Sequence, residues 1–127
     1  MQADDPFAYA VLQVVPSIER GERVNVGVVL FCRRRDFLAL RWTVPSERLS
    51  AFGDSLDFEA MSAQMQTLEQ IANGDSQAGA VAELPISERF HWLVAPTSTM
   101  LVAGEVHTGI SDEPKATLDR LFERLVA

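Results

Sequence analysis

Two short polar stretches carry the residues that could do chemistry in this chain. The first is Arg20-Gly21-Glu22-Arg23-Val24-Asn25-Val26-Gly27, where a charged cluster runs into an apolar strand. Arg20 offers a planar fork of donors for a carboxylate or phosphate. Gly21 permits a turn with positive φ, and Glu22 can act as a base or hold the arginine. Asn25 points away from Val24 and Val26, so its amide needs partners wherever that face is covered. The second stretch is Val106-His107-Thr108-Gly109, a histidine at what reads as the end of a strand, able to donate, accept and titrate near neutral pH. Arg20, Glu22, Asn25 and His107 are therefore the candidate binding residues. Their plainer explanation is structural: a buried Arg–Glu–Asn network that pins a long connection to the sheet, and a hydrogen-bonded histidine. If instead His107 lies within reach of Arg20 or Glu22 in an open cleft, a small enzyme or ligand-binding domain becomes the reading.

Stronger motifs are missing. Gly21 and Gly27 have no Gly-Lys-Ser/Thr partner to make a phosphate loop, and neither a dinucleotide fingerprint nor a Gly-x-Ser-x-Gly elbow occurs. One cysteine and two histidines cannot build a structural zinc site, so no metal, no cofactor and no catalytic residue is expected. Cys32 follows Val28-Val29-Leu30-Phe31 and reads as a small buried hydrophobe. His91, between Phe90 and Trp92, reads as a surface or packing residue, and Met61 with Met65 as core.

Charge narrows the partners. The net charge is −7, from 11 basic and 18 acidic residues, which disfavours nucleic acid because affinity for the phosphate backbone comes from neutralising many phosphates at once. The basic residues are unevenly placed. Arg20, Arg23, Arg33, Arg34, Arg35, Arg41 and Arg48 are opposed over that span only by Glu22, Asp36 and Glu47. Such an excess suits a solvated hairpin, or an acidic patch on a partner. The acidic start Met1-Gln2-Ala3-Asp4-Asp5 does not resemble a leader, and no run reaches the ~18 apolar residues of a membrane span. A cytoplasmic protein without membrane contact is expected.

The elements that must position these residues follow from hydrophobic periodicity. The chain of 127 residues fits one domain over 1–127, long enough to bury roughly two-thirds of its unfolded surface. Phe7 to Val15 is apolar on both alternating faces, as in a strand covered on two sides, and Pro16 ends it. Val24 to Cys32 forms a second strand with Val24, Val26, Val28 and Leu30 on one face. After a tight reversal through the arginine run, Phe37 to Thr43 forms a third, and the short connections make the three an antiparallel meander. Pro45-Ser46-Glu47 opens a short helix with Leu49 and Phe52 on one side, closed by Gly53. Asp57 caps a longer one with Phe58, Met61, Met65, Leu68 and Ala72 aligned, stopped by Asn73-Gly74. From Asn73 to Ala82 the composition is that of a mobile loop. Ser87 to Val94 favours helix over strand. Met100 to Ala103 and Glu105 to Thr108 add strand around a kink at Gly104. Asp112-Glu113-Pro114 starts a terminal helix with the stripe Leu118, Leu121, Phe122 and Leu125. The order predicts an α+β fold, an antiparallel sheet with a three-stranded meander plus a later strand and helices packed on it.

The block Arg20-Gly21-Glu22-Arg23-Val24-Asn25-Val26-Gly27, with Arg89-Phe90-x-Trp92-Leu93, Val106-His107-Thr108-Gly109 and Leu121-Phe122-Glu123-Arg124-Leu125-Val126, resembles a small bacterial family known only as a domain of unknown function. The resemblance spans nearly the whole chain and carries no catalytic residues with it. It implies a protein partner, a kinase-like neighbour of the toxin–antitoxin type. The leading expectation is a non-catalytic interaction or regulatory domain.

Overall fold

The computed structural model describes residues 4–16, 19–52, 56–95 and 101–127. Strand β1 runs from Asp5 to Val14, β2 from Val24 to Cys32 and β3 from Phe37 to Trp42. Helices α1 (Ser46–Ser50), α2 (Phe58–Asn73) and α3 (Ile86–Val94) follow. Strands β4 (Leu101–Ala103) and β5 (His107–Ser111) then lead to α4 (Pro114–Leu125). The sheet order is β3-β2-β1, an antiparallel meander as the short connections require, and β4 and β5 share the far edge of β1. β4 lies beside Leu12–Val14 and β5 beside Asp5–Tyr9, both antiparallel. The fold is α+β, with helices on both faces of an open sheet.

The two-sided pattern of β1 explains this layering. Ala10, Leu12 and Val14 enter a large apolar cluster with residues of α2 and α3, among them Met65, Leu68, Ile71, Phe90 and Leu93. Phe7 and Tyr9 pack instead against a smaller cluster of Val28, Leu30, Leu118, Phe122 and Val126 under α4. β2 departs from simple alternation. Leu12 pairs with Gly27 but Gln13 pairs with Asn25, so Val26 is an extra residue, a β-bulge. The bulge reverses the faces: Val24 and Val26 join the α2 side, while Val28 and Leu30 join the α4 side. The expectation that all four share a face fails at this residue. Gly27 fits there because a Cβ would stand 3.1 Å from the Trp42 Cβ and 3.2 Å from the Met65 Cε.

Helix ends follow the sequence signals closely. Asp57 accepts the Ala60 N–H at 3.0 Å, and Gly74 closes α2 with φ 73°. A Cβ at Gly74 would also press to 2.9 Å from the Arg89 guanidinium, which donates at 3.0 Å to the Ile71 and Ala72 carbonyls at the end of α2. The segment after Gly74 is no open loop. It makes 3-10 turns at Ser76–Ala78 and Ala80–Glu83, because Ala78, Val81 and Ala82 are apolar enough to pack on the main cluster. Ser87–Val94 resolves as helix, with Phe90 stacked on Phe31 at 5.2 Å between centroids. Gly53 and Met100 lie outside the described residues.

At the far edge the Gly104 N–H still bonds the Val11 carbonyl oxygen at 2.8 Å, and after it the chain re-pairs later than expected, from His107 to Ser111. Gly109, which reads as a strand end, sits mid-strand opposite Phe7, whose ring would be 2.7 Å from a Cβ at that position. Cys32 is fully buried, with Sγ 3.4 Å from the Pro6 carbonyl oxygen.

Candidate interaction site

The polar block is where β2 meets the end of α4. The bulge at Val26 turns Asn25 toward α4, and its Nδ2 donates to the Leu125 carbonyl oxygen at 2.9 Å. Its Oδ1 accepts from Gln13 Nε2 at 2.9 Å, so both ends of the amide are used. Arg48, carried by α1, donates Nη2 to the Val126 carbonyl oxygen at 2.7 Å. The C-terminal end of a helix exposes carbonyls without intrahelical partners and bears partial negative charge. An amide and a guanidinium are the two side-chain types suited to it. Asn25 and Arg48 thus hold α4 to elements roughly eighty to a hundred residues earlier in the chain.

The remaining members of the block stay nearer the surface. Gly21 turns with φ 70°, and Arg20 forms an ion pair with Glu22 across that turn. The Arg20 side chain is 73% exposed, so the pair adds at most about 1 kcal/mol. Arg23 makes one long contact, from Nη1 to Gln13 Oε1 at 3.4 Å. Val24, Asn25 and Arg23 line an open groove of about 420 Å³, completed by Arg48, Ala51 and Phe52. Phe52 is 38% exposed, and among the described residues neither Arg23 nor Arg48 enters an ion pair. Two guanidinium groups beside a phenyl wall have the chemistry to hold a carboxylate on an apolar stem, Arg48 with the donors that the Val126 carbonyl leaves over.

His107 is elsewhere. It opens β5 opposite Tyr9, with ring centroids 5.3 Å apart, and is exposed. Tyr9 lies four residues along β1 from Gln13, roughly 13 Å from the Asn25 contact at the rise of an extended strand. Arg20 is paired with Glu22 and Asn25 with Gln13, while His107 packs on Tyr9, well along the strand from the Asn25 contact. No group of three or more His, Cys, Asp or Glu able to hold a metal occurs among the described residues. Arg48 and Phe52 escape a reading of the sequence because α1 brings them to β2 only through the tertiary fold. Their one signal is that Arg48 ends the basic stretch.

The arrangement defines an open antiparallel α+β domain with helices on both sheet faces and a basic, aromatic groove at one end of the sheet. The chain belongs to a family of proteins of unknown function, DUF3037, whose model matches residues 9–126. No curated protein and no solved structure matches it.

Proposed function

We propose that this chain is a non-catalytic, cytoplasmic interaction domain of bacteria that receives an acidic segment of a partner protein in the groove of Arg23, Arg48 and Phe52. The observation that carries the reading is a pair of arginines that form no ion pair among the described residues, beside an exposed phenyl ring, in a chain of net charge −7. Asn25 keeps the groove in shape by fixing the end of α4, and the Arg20–Glu22 pair borders it in the chain. The single, buried thiol of Cys32 agrees with a reducing compartment. Among the described residues no helix is long and apolar enough to cross a membrane. The family resemblance supplies the candidate partner, a kinase-like protein of the toxin–antitoxin type. Titrating that protein against the chain and against Arg23→Glu tests the reading. Charge reversal in the groove should weaken binding by about tenfold or more, with a flatter salt dependence. Unchanged affinity contradicts it.

A further inference from the structure

Among the described residues the outer edge of β3 pairs with no other strand, and its hydrogen-bonding phase is fixed. The Thr43 N–H donates to the Val26 carbonyl oxygen at 2.8 Å, and β2 pairs with β3 so that Val28 faces Arg41 and Leu30 faces Ala39. In an antiparallel ladder, pairs that exchange hydrogen bonds alternate with pairs that do not. Phe37, Ala39 and Arg41 therefore bond inward to β2, and Leu38, Leu40 and Trp42 direct their N–H and C=O groups outward. These outward groups repeat about every 6.8 Å, the spacing of a partner strand. The opposite edge of the sheet differs, being filled by two short pieces, β4 and β5.

The free edge lies at the bottom of a slot of about 550 Å³. On one side Glu69 and Asn73 of α2 stand beside Leu40 and Trp42, with Glu69 accepting from Trp42 Nε1 at 3.0 Å. On the other side Lys115 and Leu118 of α4 stand beside Ala39 and Arg41. Arg41 is taken up by Asp119 and Glu123, whereas Lys115 meets Asp119 alone and stays mostly exposed. We infer that this slot takes an extended segment of a partner protein as an added strand, with apolar side chains toward Leu40 and Trp42 and acidic ones toward the exposed ammonium of Lys115, which they share with Asp119. Alternation follows from the strand period of two, and the chemistry from the two walls.

A second copy of the chain does not fit. Antiparallel pairing about Leu40 would satisfy the same backbone groups, but α2 packs chiefly on β3 among the strands. Two β3 strands about 4.8 Å apart would bring their α2 helices closer than the 8–10 Å of packed helices. A single strand, with no helix above it, avoids this overlap.

The probe is a blocked octapeptide of alternating valine and glutamate, followed by NMR on the full chain. Its valines should pair with Leu38, Leu40 and Trp42, whose amide exchange should slow by about tenfold or more on binding. N-methylation of the valines removes the donors facing β3 and should weaken binding by about tenfold, whereas N-methylation of the glutamates should leave it nearly unchanged. Lys115→Glu, a change at a side chain that is 63% exposed, should weaken binding by about fivefold. Arg23→Glu should leave this binding unchanged, which separates the edge from the groove of the proposed function. Failure of the unmodified peptide to bind, equal loss with both methylated forms, or perturbation centred on Arg23 and Phe52 would each overturn the inference.

Discussion

The two faces of the sheet are held by different means. On the α2 and α3 side, a broad apolar cluster draws on four strands and three helices. On the α4 side a single helix covers Val28 and Leu30 with a few residues, and polar contacts complete the attachment. Asn25 and Arg48 hold its last carbonyls. Midway along, Arg41 of β3 reaches Asp119 at 3.1 Å and Glu123 at 3.3 Å, with its guanidinium carbon 4.3 Å from the centre of the Phe122 ring. At its start, buried Ser111 shares a 2.6 Å hydrogen bond with Thr117 and accepts the Glu113 N–H at 3.0 Å. Apolar burial supplies energy without direction. One helix on a small patch could slide or rotate, and directional contacts at its start, middle and end remove that freedom.

The sharpest way to break this comparison is at Phe122, which serves both means at once. Phe122→Ala removes a buried ring from the smaller cluster and the surface under Arg41, and should cost about 3–5 kcal/mol in chemical denaturation. A cost below that of an exposed substitution would show that α4 is held by its polar contacts alone. Gly27 tests the other face. Gly27→Ala places a methyl group against Trp42, Met65 and the Arg41 carbonyl, and should cost about 1–3 kcal/mol through overpacking. Full stability there would mean that β3 and α2 yield easily.

The smallest effect lies at Asp119. The hydrogen bond from Lys115, then the charges of Lys115 and Arg41, hold its carboxyl below the usual carboxylate range. A carboxylate whose folded pKa is depressed contributes stability that is complete above its unfolded value and lost as pH falls through the folded one. Asp119→Asn should therefore lower the melting temperature slightly near neutral pH, less at high salt, and not at all in acid. A deficit that grows toward acid would contradict this assignment.

Much of the fold is legible in the residue order, and the reasons for the rest are physical. β2 can be bounded from Val24 to Cys32 because β-branched residues and a basic turn delimit it. The stripe of α4 is equally plain, since Leu118 and Phe122 recur at helical spacing beside polar neighbours. The bulge at Val26 is not, because only its partners Leu12 and Gln13 define it. The turns after Gly74 and the late start of β5 likewise depend on what lies beneath Val81 and opposite Gly109. At the site, the demand of Asn25 for partners is local information, whereas the carbonyl of Leu125 that meets it lies a hundred residues away.

The most direct test of the account compares two neighbours in one block, Asn25 and Arg23, by thermal melts beside binding to the proposed kinase-like partner. Asn25→Ala leaves the Leu125 carbonyl and the Gln13 amide without their partner and should cost about 1–3 kcal/mol. Arg23→Ala should leave the melt within about 0.5 kcal/mol of the wild type and weaken partner binding by about tenfold. A strongly destabilised Arg23→Ala with partner binding intact would contradict the account.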